Sequence, residues 1–185
     1  MTSIENQKEI NKLKKDVFSG KWELVKTAIE RLSQIQGDIV VDFLISLLDL
    51  NDSGIRNRAA LALSDIKDNK AVKPLLQAIL KKENHNYNGT MVHALESLDC
   101  SNNLKEIFTI LFFEAYEAKI SAYSILCNQI FNFTRKDILE IKKMWENCKL
   151  NPESCPGFEN DETREMMQDV VDGYLFYLKP RIKKE

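Results

Sequence analysis

Residues 52–80 read DSGIRNRAALALSDIKDNKAVKPLLQAIL, and this stretch contains two amphipathic helical segments joined by a short polar turn. The first segment has three apolar residues on one helical face, at Ala59, Leu63 and Ile66. The second follows the i, i+3, i+4, i+7, i+8 spacing of an apolar helix face, at Val72, Leu75, Leu76, Ile79 and Leu80. Asp52 stands at an expected N-cap, and Pro74 falls early in the second segment, where its missing N–H costs little. The stretch therefore predicts a pair of helices.

The pattern of this pair recurs along the chain at an interval of about 32 residues, which is a period typical of repeat architectures. The stripe of the second helix lies one interval earlier at Val40, Phe43, Leu44, Leu47 and Leu48, and one interval later at Leu104, Ile107, Phe108, Leu111 and Phe112. The stripe of the first helix shifts in the same way onto Met91, Leu95 and Leu98, and then onto Tyr123, Cys127 and Ile130. The first unit matches after a slip of one residue, at Ala28, Leu32 and Ile35, and the last is two residues out of register, at Ile138, Ile141 and Trp145. We therefore expect about four helix pairs.

The helix pattern and its punctuation predict ten helices and no strands. Asp38, Asp52 and Thr134 are the expected N-caps, with Asp137 completing a capping-box variant three residues after Thr134. We expect the helices near 3–18, 21–36, 38–50, 53–67, 70–82, 88–98, 102–113, 116–131, 134–147 and 161–178.

The segment from Asp52 to Leu80 resembles a HEAT repeat of the short bacterial type. The resemblance is carried by Asp52, Ile55-Arg56, Ala59-Ala60, Ala62-Leu63, Ile66, Asp68, Ala71-Val72, Pro74-Leu75-Leu76 and Leu80. It implies an all-α, right-handed α-solenoid in a single domain, 1–185. In that domain, 1–20 would be an N-terminal capping helix, 21–147 the HEAT-like repeats, and 148–185 a linker, an acidic C-terminal capping helix and a basic tail. The resemblance also implies that the second helix of each pair lines a concave surface, where a protein partner would meet a mixed-charge set that includes Lys73, Gln77, Lys105 and Thr109.

The composition limits the class of function. A formal net charge of −2 argues against a dedicated nucleic-acid-binding protein, which needs a surplus of Lys and Arg on one face. The longest apolar run, Ile107 to Phe113, is much shorter than the approximately 20 residues that span a bilayer. The N-terminus lacks the apolar core of a secretory signal. We therefore expect a soluble, cytoplasmic and monomeric protein.

Residues suited to catalysis or metal binding are few. His85 and His93 have no evident partner, and the motifs of zinc proteases, phosphate-binding loops, serine hydrolases and EF-hands are absent from the sequence. The four cysteines form no C-x-x-C pair and are expected to be buried, although Cys100, Cys148 and Cys155 lie near helix ends where a thiol could be exposed to oxidation. We predict no catalytic residues, no metal and no cofactor.

Two features exceed what a repeat scaffold needs. In the first, Phe113 and Tyr116 either fill the core between repeats or form an exposed aromatic anchor with Glu114 and Glu117 as a charged rim. The second is an acidic segment, 153–172. Its acids at Asp161, Glu162 and Glu165 either oppose a helix dipole or attract a basic partner.

The preferred function is therefore a non-catalytic scaffold for protein binding. The small size and diverged repeats resemble those of HEAT-type bacterial immunity proteins, which implies a cognate toxin as the partner. A generic adaptor or assembly factor is the alternative within the same class. The alternatives in another class are a HEAT-like alkylpurine DNA glycosylase, for which the basic groove is missing, and a tetrapyrrole lyase of the phycobilin type.

Overall fold

The computed structural model describes residues 3–179, and its regular structure in that range is entirely helical. The chain divides into two compact units at the bond between Asp99 and Cys100. The predicted all-α class is confirmed. The basic tail expected after the last helix lies outside the described residues, apart from Lys179.

The first unit contains six α-helices. They are α1 Ser3–Asp16, α2 Trp22–Ile35, α3 Asp38–Leu47, α4 Ser53–Ile66, α5 Val72–Ile79 and α6 Gly89–Leu95, with 3-10 turns at Asn69–Ala71 and Lys82–Asn84. Helices α2, α4 and α6 pack side by side in chain order, while α3 packs on α4 and α5 packs on α6. This is the arrangement expected of stacked helix pairs.

Hydrogen bonds about one period apart join successive pairs in the first unit. The hydroxyl groups of Ser64 and Ser97 lie 2.7 Å apart, and the Asp99 amide donates to Asn69 Oδ1 at 2.9 Å. The separations of 33 and 30 residues match the sequence period closely. These bonds therefore connect equivalent ends of neighbouring repeats.

The second unit contains four α-helices. They are α7 Leu104–Phe113, α8 Tyr116–Asn128, α9 Arg135–Leu150 and α10 Asp161–Leu175, with 3-10 turns at Pro152–Ser154 and Phe176–Leu178. Helix α7 packs on α8 and α9, and α10 packs on the same two helices. Stacked rings form the centre of this unit, where Phe112 lies 5.7 Å from Trp145 between ring centroids and Trp145 lies 5.5 Å from Phe158.

The apolar stripes predicted for the second helix of each pair form the core. All of those residues are buried except Phe43, which is half-buried, and Leu80, which is exposed. Ile138, Ile141 and Trp145 are buried as well. The ten helices expected from the sequence all occur, with ends that differ by a few residues because the terminal turns become 3-10 turns or loops.

The caps agree with the sequence prediction at two of three positions. Asp52 Oδ1 accepts a hydrogen bond from the Ile55 amide at 3.0 Å, and Thr134 with Asp137 forms a complete capping box. Asp38 is not an N-cap, because Gly37 with φ of 92° takes that position and Asp38 becomes the first helical residue. Its carboxylate still opposes the helix dipole there.

The repeat period fails in α8. In α6 and the turn after it, the predicted stripe is buried, at Met91, Leu95 and Leu98. One period later, Cys127 and Ile130 are exposed and Tyr123 is half-buried. The residues that α8 buries are Ala118, Lys119, Ser121, Ala122, Ile125 and Leu126. Helix α8 therefore presents a different face to its neighbours than the period predicts.

The expectation of buried cysteines is confirmed for three of the four, and the alternative of exposed thiols at helix ends does not hold. Cys100, Cys148 and Cys155 are fully buried, and Cys127 is the exposed cysteine. The Cys155 thiol donates to the Phe112 carbonyl at 2.9 Å, which ties the segment before α10 to the end of α7. Burial of this kind is usual for structural cysteines.

Candidate functional site

Helices α8 and α10 run parallel along one side of the second unit. Tyr123 donates its hydroxyl hydrogen to Asp169 Oδ2 at 3.3 Å, and Tyr174 donates to the Leu126 carbonyl at 3.4 Å. Both helices thus advance in the same direction between these two contacts. Their first turns, which contain Tyr116 and Asp161, lie at the same end of the unit.

One exposed stripe of α8 is aromatic and aliphatic. Residues spaced by four, three and four positions project from the same helical face, and they are Tyr116, Ile120, Tyr123 and Cys127. Tyr116 is 60% exposed and Ile120 is 42% exposed. The stripe is unusual because it leaves two large apolar groups, Tyr116 and Ile120, in water in the first half of the helix, while Tyr123 is half-buried.

The neighbouring stripe of α10 is acidic. Its members are exposed and follow helical spacing, at Glu162, Glu165, Asp169 and Asp172. Tyr123 and Asp169 join the two stripes. We call these two stripes together the α8–α10 face.

The α8–α10 face has little positive charge of its own. Arg164 is half-buried and forms an ion pair with Asp161, and its guanidinium also donates to the Phe158 carbonyl at 3.2 Å. Lys119, the lysine of α8, is 1% exposed and points into the unit. The exposed surface of these two helices is therefore strongly acidic.

The buried Lys119 closes the end of α7. Its Nζ donates to the carbonyls of Leu111 and Phe112, both at 2.8 Å. The last carbonyls of a helix have no partner within the helix, so Lys119 satisfies the Leu111 carbonyl and shares the Phe112 carbonyl with the Cys155 thiol. Burial lowers the pKa of Lys119, while the charge of Glu114 opposes that shift.

A cavity of about 490 Å³ lies at the C-terminal end of the α8–α10 face. Its walls come from the end of α8, the loop after it and the second half of α10, and the lining includes Cys127, Ile130, Phe133, Asp169, Tyr174 and Tyr177. The ring of Phe133 lies 5.7 Å from that of Tyr174 and 5.0 Å from that of Tyr177, between centroids. Ile130 is 91% exposed at this cavity. We call it the aromatic pocket.

The phenols of Tyr123 and Tyr174, at the aromatic pocket and beside it, are neutral at physiological pH. Burial raises the pKa of Tyr174 to about 12. A hydrogen bond with Cys127 is the main cause that raises the pKa of Tyr123, and the charge of Asp169 acts in the same direction. Their rings therefore keep the ordinary quadrupole of a neutral phenol, with its negative face.

Ion pairs occupy much of the surface that carries α3 and α5 in the first unit. Lys70 Nζ lies 2.6 Å from Asp42 Oδ1, and Lys81 pairs with Asp49. The hydrogen bond to Asp42 raises the pKa of Lys70. These pairs join successive repeats, so the charges on this surface largely face one another.

Comparison with known families identifies the first unit. Residues 10–99 match the family model of HEAT repeats. They are HEAT repeats. This match and the helix pairs confirm the predicted solenoid class of fold. HEAT repeats commonly mediate protein–protein interaction and are typically non-catalytic. No curated protein is significantly similar to this chain.

The residues predicted for the surface of the HEAT array differ in their surroundings. Lys73 and Gln77 are exposed on α5. In the second unit, Lys105 Nζ lies 2.6 Å from Glu140 Oε2, and the Thr109 hydroxyl donates to the Lys105 carbonyl at 2.9 Å. Lys105 and Thr109 are thus engaged within the second unit itself.

The predicted aromatic and acidic residues divide between core and surface. Tyr116 and Glu117 are exposed, and Glu162 and Glu165 lie in the acidic stripe. Phe113 and Asp161 were also predicted, but neither belongs to the two stripes. Phe113 is half-buried, with its ring centroid 6.1 Å from that of Phe112. Asp161 forms an ion pair with Arg164. Glu114 was expected in a charged rim, and this was wrong because its side chain is 2% exposed.

Sequence reasoning missed the pocket residues and the middle of the apolar stripe. Ile120 was not singled out, and Tyr123, Cys127 and Ile130 were assigned to a repeat stripe. The residue types could have indicated the difference. Tyr123 stands at the position of Ala59 and Met91, and Cys127 stands at the position of Leu63 and Leu95.

Other kinds of site find no support in residues 3–179. No cluster of three or more potential metal ligands occurs there. Within the same range, no helix has both the length and the apolar content that a membrane span requires. His93 Nδ1 lies 3.0 Å from Glu96 Oε1 on the surface.

Proposed function

We propose that this protein is a non-catalytic binding module, and that the α8–α10 face binds a basic protein. The observation that carries the proposal is the contact of an exposed apolar stripe with an exposed acidic stripe on one surface. Protein interfaces combine aromatic anchors with a polar or charged rim, and Tyr is enriched among the residues that contribute most to affinity. Both ingredients are present on this face.

Charge favours a basic partner over an acidic one. The four carboxylates of the acidic stripe project from α10, and the lysine of α8 is buried away from them. Complementary charge accelerates association and excludes partners of like charge. Nucleic acid would be repelled by the same field, which argues against a DNA glycosylase.

The finer proposal is that the partner is a toxin domain and that the protein is a bacterial immunity protein acting in the cytoplasm as a monomer. Its support is the small HEAT-repeat scaffold together with a separate acidic binding face. In this proposal the repeat array extends over 21–147 within one functional domain, and α10 acts as the C-terminal cap. A generic adaptor would use the same face for a different basic protein.

Affinity capture from the native host, followed by mass spectrometry, tests the proposal. We expect a basic protein to be recovered in stoichiometric amount. Tyr116→Ala should weaken its capture without lowering the melting temperature, because that side chain is mostly in water. Tyr87→Ala is the matched control, since Tyr87 is 67% exposed in the first unit.

The acidic stripe is tested with Glu162→Gln combined with Glu165→Gln. Capture should fall and its dependence on salt should become weaker, since exposed charges are screened over about 8 Å at physiological ionic strength. Glu30→Gln combined with Glu83→Gln is the control for exposed acids in the first unit. Equal losses from both pairs would refute the assignment of the face.

The identity of the partner separates the finer proposals. A recovered toxin domain, whose toxicity is neutralised by the protein but not by Tyr116→Ala, would support immunity. Recovery of host complexes alone would contradict immunity and favour an adaptor. Binding to duplex DNA at low salt, where non-specific affinity is greatest, would contradict the whole proposal.

A further inference from the structure

The aromatic pocket continues the α8–α10 face and has a chemistry of its own. We infer that it receives a lysine or arginine side chain of the basic protein partner. This inference rests on the proposed function and names one contact within it. The rings of Phe133, Tyr174 and Tyr177 would surround the cation, and Asp169 would supply the opposing charge.

The composition of the lining favours a cation. The rings of Phe133, Tyr174 and Tyr177 all line the pocket, where Phe133 packs edge to face on the two tyrosines, and an open aromatic face attracts an ammonium or guanidinium group within about 6 Å of its centroid. Asp169 is an exposed carboxylate at the same pocket. Lysine, arginine and histidine are absent from the lining that the structure describes. A cation entering the pocket would therefore meet attraction from the aromatic rings and from Asp169, and no opposing positive charge from the described lining.

Two cations of the second unit, Arg135 and Lys179, have partners outside the lining. Arg135 donates to the Leu178 carbonyl at 3.2 Å, and Lys179 Nζ lies 5.1 Å from the centroid of the Phe176 ring. The second contact also demonstrates that an ammonium group settles over an aromatic ring in this part of the unit.

Size and position favour a side chain of a protein over a free amine. A volume of about 490 Å³ exceeds the space that one cationic side chain fills, so an adjoining residue fits as well. Ile130, which is 91% exposed, offers that neighbour an apolar contact. The acidic stripe leads directly to the pocket through Asp169, so a basic surface bound along α10 would bring a cationic side chain to this point.

Cys127 provides a test that needs no partner. Its thiol is exposed at the pocket, whereas Cys100, Cys148 and Cys155 are buried. The folded protein is equilibrated with an equimolar mixture of bis(2-aminoethyl) disulfide and bis(2-hydroxyethyl) disulfide and their thiols. The Cys127 thiolate attacks one sulfur, a new S–S bond forms as the reagent's S–S bond breaks, and the other half leaves as a thiolate. Intact mass then gives the ratio of the two adducts.

The ratio is divided by that of the urea-unfolded protein, read on the peptide that contains Cys127 because unfolding exposes the other three cysteines, and this removes the intrinsic difference between the reagents. We expect the aminoethyl adduct to be enriched about fivefold to tenfold in the folded protein, in line with a partly desolvated cation–π contact next to a carboxylate. Asp169→Asn and Tyr177→Ala should each reduce the enrichment to below about twofold. Circular dichroism confirms that each variant is folded.

Glu162→Gln is the control for a general attraction of cations. This variant should retain most of the enrichment, because Glu162 lies about two turns, roughly 10 Å, from Asp169 along α10. Equal adducts in the wild-type protein, an unreactive Cys127, or enrichment that survives both pocket variants would overturn the inference. A stronger preference for bis(propyl) disulfide over the aminoethyl reagent would also overturn it, since it would identify an apolar pocket.

The two proposals fail separately. Loss of the aminoethyl preference with normal capture of a basic protein would reject the cationic side chain and keep the α8–α10 face. A clear preference without any captured partner would support the chemistry of the pocket and reject the proposed function.

Discussion

Replacing Lys119 with methionine tests the role of a buried cation in the second unit. The change keeps most of the length of the side chain but removes both hydrogen bonds from Nζ to the end of α7, where the Cys155 thiol still donates to the Phe112 carbonyl. Hydrogen bonds from charged donors contribute about 1.5–3 kcal/mol each, so two of them correspond to roughly 3–6 kcal/mol. Methionine also avoids the desolvation of an ammonium group, which returns part of that loss. We expect the free energy of unfolding to fall by about 2–4 kcal/mol.

Urea denaturation in a Trp22→Phe background measures this loss, because Trp145 in the core of the second unit then reports alone. The midpoint should fall with an unchanged dependence on urea concentration. Lys105→Met is the matched control. The Lys105–Glu140 pair is on the surface, and pairs of that kind contribute about 0–1 kcal/mol. A loss below about 1 kcal/mol for Lys119→Met, or equal losses for the two variants, would refute the assigned role.

The pH dependence gives a second test of Lys119. Burial lowers its pKa in the folded protein below the ordinary value of 10.5, so between those two values the unfolded chain binds more protons. Stability from this group therefore rises with pH across that interval. The difference in unfolding free energy between the wild-type protein and Lys119→Met should grow from neutral pH towards pH 10.5. A difference that stays constant would contradict a lowered pKa.

Four further substitutions test the caps and the core. Asp52→Ala should lower the free energy of unfolding in a urea titration by about 1 kcal/mol, because the Asp52 carboxylate caps α4. Asp38→Ala should lower it by less than half as much, because Asp38 is not an N-cap. The reverse order would contradict the observed caps. The hydrogen bond from the Thr134 amide lowers the pKa of Asp137 in the folded protein. The resulting stability is fully present above the ordinary pKa of the unfolded chain, and it is lost as the pH falls through the lowered pKa of the folded protein. Asp137→Asn should flatten the stability curve in that acidic window, and an unchanged curve would argue against the capping box. Trp145→Ala should cost about 3–5 kcal/mol by thermal or urea unfolding, since the ring is 2% exposed, and a loss below about 1 kcal/mol would be incompatible with the stacked core.

Helix positions were predictable from the sequence because each apolar stripe has one dominant partner. Val72, Leu75, Leu76 and Ile79 can bury their side chains together on only one side of α5, and the same holds for the equivalent residues of α3 and α7. The spacing of the hydrophobic residues was therefore enough to predict the helices and their order along the chain. Exact ends were less predictable, since Gly37 competes with Asp38 for the N-cap.

The α8–α10 face was only partly predictable for a physical reason. Helix α8 has apolar residues on several sides, so a shift by one repeat period selects Tyr123 and Cys127, whereas packing buries Ala122, Ile125 and Leu126. The choice depends on three-dimensional neighbours, chiefly α7 and α10, which a one-dimensional period does not contain. The burial of Lys119 could not be predicted either, because its acceptors are backbone carbonyls, which every residue has.

The hydrogen bonds between successive repeats also bear on how the first unit folds. Ser64 with Ser97, and Asn69 with Asp99, connect positions separated by 33 and 30 residues. Closing loops of that length carries a modest entropic cost, and chains dominated by such near-neighbour contacts have low contact order and fold quickly. Loss of one such link should open the adjoining pair while more distant pairs keep their protection against hydrogen exchange. The first unit can thus unfold one helix pair at a time, starting from an end.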